Sequence, residues 1–320
     1  DICEDTCIVH EHLTGIPTKV LDCSGDVVDF KRKLQSALAD LYPGLSLGDC
    51  HIHGSSPCQA LSSANTTART EAGVYGGLGM IVWFFAFVSY ARARSCTLET
   101  VPPVLAYLQQ SNLRKYGISQ YKLNCKAVCS TNQDRWRVWL CDRALDVAKF
   151  RPASDCAHAA IPTVTSKATT VAGLNSEVRV FTPAEQALQN GIPAERVALF
   201  DKMAGLATFK RQLAGDAVPY LFAKGIMVAL RGFGQKSKSR LLDCSKCVVS
   251  PRQLGSIIDR SAVAKAGFPE CCPVGGERDA ALVAVAPPSR GLVSSLRIGV
   301  PLLDVPLSGS AGPVGLVTAV

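Results

Sequence analysis

The chain has 320 residues, enough for one large domain or two, and its 14 cysteines, about 4% of the total, fall below the density of a small disulfide scaffold and exclude that class. Hydrophobic residues make up 48% and charged residues only 19%, against about 25% in an ordinary soluble domain, which points to a surface covered by other subunits or by a membrane. The net charge of +8, from 34 Lys and Arg against 26 Asp and Glu, permits contact with nucleic acid or acidic surfaces without demanding it.

Residues 1–28 hold Cys3, Cys7, His10, His12 and Cys23 and read as a short loop or strand dense in soft ligands. The opening DICEDTC is acidic and polar, unlike a secretory signal, so reduced thiols in an intracellular setting are expected. Asp29–Tyr42 reads as an amphipathic helix with Phe30, Leu34, Leu38 and Leu41 on one face, ended by Pro43-Gly44. The segment DCHIHGSSPC then brings Cys50, His51, His53 and Cys58, and residues 59–72 read as a polar loop.

Gly73 to Ala91 carries no charge and six of the chain's 21 aromatics. As a helix its 19 residues would span roughly 28 Å, close to the hydrocarbon thickness of a bilayer. Its uninterrupted apolar part, Leu78 to Tyr90, is only 13 residues, a length that favours a core or interface helix; a membrane span over residues 74–91 is the alternative. The four glycines in its first seven residues read as a loop or a close backbone crossing.

Pro102-Pro103 opens a second helix over residues 104–117, with Val104, Leu105, Leu108 and Leu113 inward. Cys125 and Cys129 precede a Trp- and Arg-rich segment, residues 134–150, read as helical. Residues 151–175 are rich in Ala, Thr, Ser and Pro and read as a linker or arm. The chain therefore divides into a Cys/His-rich helical domain (1–150), the linker (151–175) and a helical segment followed by short strands (176–320). Thr182-Pro183-Ala184-Glu185 is a helix start, another helix is entered at Pro193, residues 216–234 continue helical, and Ser250-Pro251 begins a short helix through Ala266. After Pro269 the segments ALVAVA, GLVSSLRIGVPLL and GPVGLVTAV read as strands. The expected class is α+β, a mainly helical body with a smaller C-terminal β part.

The two His-x-His clusters are the most specific local signal, since they hold four of only five histidines. In a strand, residues two apart share a face, so each pair can offer two imidazoles to one metal. With Cys3, Cys7, Cys50 and Cys58 beside His10, His12, His51 and His53, a structural zinc site is the expectation. Cys244 and Cys247, with Cys271 and Cys272 further on, form a second metal candidate. Residues 217–242 contain Lys224, Arg231, Lys236, Lys238 and Arg240; in this stretch GFGQKSKSR reads as flexible, basic and suited to non-specific contact with nucleic acid.

Two short stretches have family likenesses. CIVHEHLTG resembles the opening of phosphotriesterase-type amidohydrolases, which implies metal-dependent hydrolysis using His10, His12, His51 and His53; it covers fewer than ten residues, and His158 is the one further histidine. SGSAGPVGLV resembles the nucleophile loop of chymotrypsin-like proteases, which implies Ser310 as nucleophile, with Ser308 where that family has glycine. Composition as a whole points to a non-enzymatic structural subunit of a large assembly, such as a virus capsid or cementing protein. Its expected partners are other protein subunits and its expected place is a virion or the cytoplasm. A membrane-anchored subunit of a multi-protein complex and a metal-dependent hydrolase stand as the alternatives.

Overall fold

The computed structural model describes residues 4–22, 25–55, 60–62, 70–129, 133–152, 161–162, 170–172, 178–202, 218–233, 235–243, 248–266 and 315–319. In chain order the elements are α1 (Glu4–Thr14), α2 (Val27–Leu41), β1 (Cys50–Ser55), α3 (Glu71–Ala91), β2 (Ser95–Thr100), α4 (Gln110–Lys115), β3 (Ser119–Asn124), α5 (Cys125–Val128), β4 (Gln133–Asp134) and β5 (Trp136–Cys141). After them come β6 (Ile161–Pro162), β7 (Thr170–Ala172), β8 (Val178–Val180), α6 (Pro183–Gln189), α7 (Ala194–Lys202), α8 (Tyr220–Ala229), α9 (Arg240–Asp243), α10 (Pro251–Leu254), α11 (Arg260–Lys265) and β9 (Gly315–Ala319).

The charge-free stretch is α3, and it is helical from its first glycine. Thr70 caps it by accepting from the Gly73 N–H, and Arg92 closes it in the left-handed region at φ 53°. The glycine-rich beginning is thus part of the helix, not a loop. A helix apolar on every side must be covered on every side. On one side Phe30 of α2 meets Trp83 and Phe87 edge-on, at 5.2 and 4.9 Å between centroids. On the other, Phe84 lies over Gly54 of β1 and Leu98 of β2. The helix is long and apolar enough to cross a membrane, and most of it is buried by the chain's own elements. α2 follows the expected pattern in part: Asp26 caps it, and Phe30, Leu34 and Leu38 are buried with Ala37, whereas Leu41 at its end is only half-buried.

The central sheet is mixed, in the order β3-β5-β2-β1-β9. β1 runs parallel to β2 and to β9, whereas β5 runs antiparallel to β2 and β3. α3 is the crossover between the parallel pair β1 and β2, as such a connection requires. A two-stranded parallel pair, β4-β6, and an antiparallel ribbon, β7-β8, stand apart from it.

The class is therefore mixed α+β, but the C-terminal β part is not borne out. Four of the sheet's five strands come from residues 50–141, the region read as helical, and the C-terminal GPVGLVTAV gives one edge strand of the same sheet. ALVAVA and GLVSSLRIGVPLL lie outside the described residues. The Trp/Arg-rich segment is the instructive miss. Val138, Trp139, Leu140 and Cys141 are all buried, because β5 has strands on both edges and packing on both faces, which erases the period of two. The first His-x-His cluster errs the other way: it lies on α1, not on a loop or strand. The helix expected over 104–117 is a 3-10 turn (Pro102–Tyr107) and α4, broken where the Gln109 N–H donates to the Ile257 carbonyl. Thr182 and Ser250 do begin helices, each with a reciprocal capping box, to Glu185 and Gln253. The helix expected through Ala266 breaks at Gly255–Ile258 and resumes as α11.

Two apolar cores result. One lies between α3, α2 and the near face of the sheet. The other covers the far face, where Trp139 meets Phe222 of α8 edge-on at 5.5 Å and Cys125, Cys129, Cys141 and Ile226 fill in around them.

Candidate functional site

In a parallel pair the carboxyl ends of neighbouring strands point the same way, and the chain leaves both at one place. β1 and β2 pair in register His51 with Ser95, His53 with Thr97 and Ser55 with Glu99. Alternate residues share a face, so these six make two polar files under the far core. β5 adds a third, with Cys141 opposite Thr97, Trp139 opposite Glu99, and Arg137 two residues from Trp139 on the same face.

The files are hydrogen-bonded to one another. Thr97 Oγ1 sits between His51 Nε2 at 3.0 Å and His53 Nδ1 at 2.9 Å, so the hydroxyl donates to one ring and accepts from the other. His51 Nδ1 reaches Ser95 Oγ at 2.7 Å. The His53 ring stacks on Trp139 at 5.4 Å, and the His51 ring lies 5.4 Å from Phe233. Burial pushes His53 down to about 4, with the Glu99 charge opposing only in part, and pushes His51 well below the ordinary imidazole value. Both imidazoles are neutral at neutral pH.

At the carboxyl end the row becomes charged. Ser55 Oγ donates to Glu99 Oε2 at 2.8 Å, and Arg137 Nε stands 2.6 Å from Glu99 Oε1. Glu99 is 5% exposed. The Arg137 approach is close but not aligned as a hydrogen bond, so Oε1 accepts no aligned bond among the described residues; on the same rung, Trp139 Nε1 is a buried donor with no acceptor among them. One buried acceptor and one buried donor, on register-paired residues, are thus without an aligned partner among the described residues. Buried polar groups of this kind are paired in most folds, by protein, water or ligand.

The thiols at the other, amino end of β1 and β2 are held protonated. Burial pushes Cys50 up to about 12 and raises Cys96 and Cys141 well above the ordinary thiol range.

The other predicted residues are dispersed. Cys7, His10 and His12 are on α1, where a spacing of two turns side chains about 200° apart, so the pair diverges; His10 Nδ1 lies 3.3 Å from Thr18 Oγ1. Cys50 points to the opposite face of β1 from His51 and His53 and lies in the near core. Among the described residues no group of three or more His, Cys, Asp or Glu is arranged to hold a metal. Cys3, Cys58, His158, Cys244, Cys247, Cys271, Cys272 and Ser310 lie outside the described residues. Lys224, Arg231, Lys236, Lys238 and Arg240 are all exposed, on and after α8. Their segment is pinned and not free: the Ser237 N–H donates to the Arg94 carbonyl, and Arg143 donates to the carbonyls of Gly232 and Gln235.

Ser55, Glu99, Arg137 and Trp139 are the residues that sequence reasoning passes over. Their signal is faint but physical: a single acid closing the run SCTLET just before Pro102-Pro103, and Arg137 and Trp139 at strand spacing.

No protein-family model matches the chain, and no curated protein matches it. Among solved structures it is similar to that of the Entamoeba histolytica methyltransferase EhMeth, with 12% identity and a TM-score of 0.47, covering 71% of this chain and 87% of that one. At that distance no residue role is carried across.

Proposed function

We propose that the chain is a group-transfer enzyme whose site is the carboxyl end of the β1–β2 pair, acting on a nucleobase in nucleic acid. The observation that carries this reading is the open rung: Glu99 Oε1 as acceptor and Trp139 Nε1 as donor, beside the Arg137 guanidinium. A ring edge with an N–H next to a carbonyl complements that pattern. Glu99 takes or returns the proton of the ring nitrogen, and Arg137 holds the charge that moves onto the carbonyl oxygen. Trp136 supports the same partner. It stands at the same end of β5 but on the opposite face of the sheet from Arg137, 46% exposed with Lys122 Nζ 5.3 Å from its ring centre, so an aromatic platform and positive charge lie together around the strand end from Glu99.

A nucleophile is needed as well. Cys58 follows Ser55 by three residues in the sequence, while Cys50, Cys96 and Cys141 are held as thiols. Cys58 is assigned to attack the ring because it follows the carboxyl end of β1 in the sequence.

The test is direct. The protein is incubated with single- and double-stranded RNA and DNA, with and without a sulfonium methyl donor; the name of the structural neighbour suggests methyl transfer as the first reaction to try. A denaturation-resistant protein–nucleic acid adduct, or a methyl mass gain on the nucleic acid, is expected; Cys58→Ser should abolish it and Glu99→Gln should lower it by about 100-fold or more. Product formation that survives both substitutions overturns the assignment. Binding and turnover both absent, with a large discrete particle by light scattering, would return the protein to the assembly subunit that its composition suggests.

A further inference from the structure

Cys125 and Cys129 bracket the one-turn helix α5, and their sulfurs lie 3.5 Å apart. Both are in the far core, at 0% and 5% exposure. The Cys129 N–H donates to the Cys125 carbonyl at 3.1 Å, so the pair keeps helical i, i+4 geometry and a Cα separation of about 6 Å, within the range that a disulfide spans. Closing the gap between the sulfurs costs the Cys129 Sγ contact to the Cys125 carbonyl at 3.3 Å and draws the two ends of the single turn together. The corner itself is fixed from outside: Asn124 caps α5, and the Cys125 N–H donates to the Arg135 carbonyl at 2.9 Å.

We infer that Cys125 and Cys129 are an oxidative modification site, forming a reversible intrachain disulfide when the protein meets a peroxide. Cys129 is the less buried and takes the oxygen: its sulfur attacks the peroxide O–O bond, an S–OH forms, and the second oxygen leaves as water with the thiol proton. Cys125 sulfur then attacks Cys129 sulfur, the S–S bond forms, and the S–OH oxygen leaves as a second water. Two thiols lose two electrons and two protons, and one peroxide becomes two waters. The bond ties α5 to itself two register positions from Arg137, since Asn124 is the β-partner of Trp136 and Leu123 that of Arg137. Formation of this bond is independent of the proposed reaction and is read without any activity.

The sequence makes the test clean. Trypsin cuts after Lys122, Lys126 and Arg135, so the two thiols fall on separate peptides, LNCK and AVCSTNQDR. Native protein is treated with dilute hydrogen peroxide, alkylated under denaturing conditions and digested without reductant. The expected result is the two peptides joined, about 2 Da lighter than their sum, and separated again by a thiol reductant. In Cys125→Ala the bond cannot close, and Cys129 should stop at the sulfenic acid, trapped by dimedone. Recovery of both peptides alkylated while other cysteines are oxidised overturns the inference, as does Cys129 driven to the sulfinic acid with no cross-linked pair. The wild-type digest decides the matter even if the variant does not fold.

Discussion

Ser55 and Glu99 are register partners at the carboxyl end of a parallel ladder, and their side chains meet at 2.8 Å. That bond fixes one carboxylate oxygen. It turns the other toward Arg137, where it finds charge but no aligned donor. A buried carboxylate held half-satisfied is poorly suited to stability alone and well suited to receiving a substrate proton.

The pair should respond asymmetrically to mutation. Arg137→Met strands a carboxylate that is nearly fully buried, and the expected cost is about 3–5 kcal/mol in chemical denaturation. Glu99→Gln keeps the shape and still accepts from Ser55. Arg137, at 16% side-chain exposure, can turn toward water, so the expected cost is about 1–2 kcal/mol, with activity down by about 100-fold or more. If Glu99→Gln proves the more destabilising of the two, the buried charge has been placed on the wrong partner.

His53 sets a pH dependence. Its imidazole titrates at about 4 in the folded chain, against 6.5 for the ordinary group. The unfolded chain therefore binds the extra proton first as pH falls. The stabilisation is fully present above about pH 6.5 and is lost progressively down to about pH 4, amounting to roughly 3 kcal/mol. His51 is shifted in the same direction and adds to the loss. Denaturant midpoints measured from pH 7.5 to 4 check this against His53→Gln, whose profile should be flatter. A parallel profile in the variant would mean that His53 is hydrated.

Gly54 is an expected hot spot of a different kind. A Cβ there would lie 2.5 and 2.7 Å from ring atoms of Phe84 and 3.0 Å from Leu98 Cδ1. The Phe84 ring cannot retreat, because it is wedged edge-on against Phe85 within the α3 core. Gly54→Ala should cost about 1–3 kcal/mol through overpacking, and Gly54→Ala with Phe84→Leu should recover part of it. A neutral single substitution would show that α3 can lift from the sheet.

The sequence announces some of this and hides the rest for reasons that can be named. α2 is legible because one face is wet, so Phe30, Leu34 and Leu38 keep their period. α3 is legible as a buried rod because it is apolar on all sides, although its glycines obscure where it begins. β5 is hidden because Val138 to Cys141 are buried on both faces and read as any apolar run. The His-x-His motif points to a real polar row at His51 and His53. The chemistry-bearing end, however, depends on a register between residues 44 apart, Ser55 and Glu99, which no local pattern encodes. The same motif on α1 shows the converse: identical spacing gives diverging imidazoles once the backbone is helical.

Trp136 separates the proposed partner from the fold. It lies at the start of β5, on the opposite face of the sheet from Arg137, with nearly half its surface exposed, and Lys122 of β3 sits over its ring. Removing an exposed ring costs little in folding, so Trp136→Ala should stay within about 1 kcal/mol of the parent. Stacking of one base on an aromatic ring contributes about 1–3 kcal/mol, so binding of a fluorescent single-stranded oligonucleotide should weaken by roughly 5- to 150-fold. Lys122→Gln should weaken it less and reduce its sensitivity to salt, because that residue acts by charge. Trp136→Phe should keep most of the affinity, since the platform matters more than the indole N–H. Unchanged binding in Trp136→Ala would move the nucleic acid off this ring, toward the exposed Lys224, Arg231, Lys236, Lys238 and Arg240.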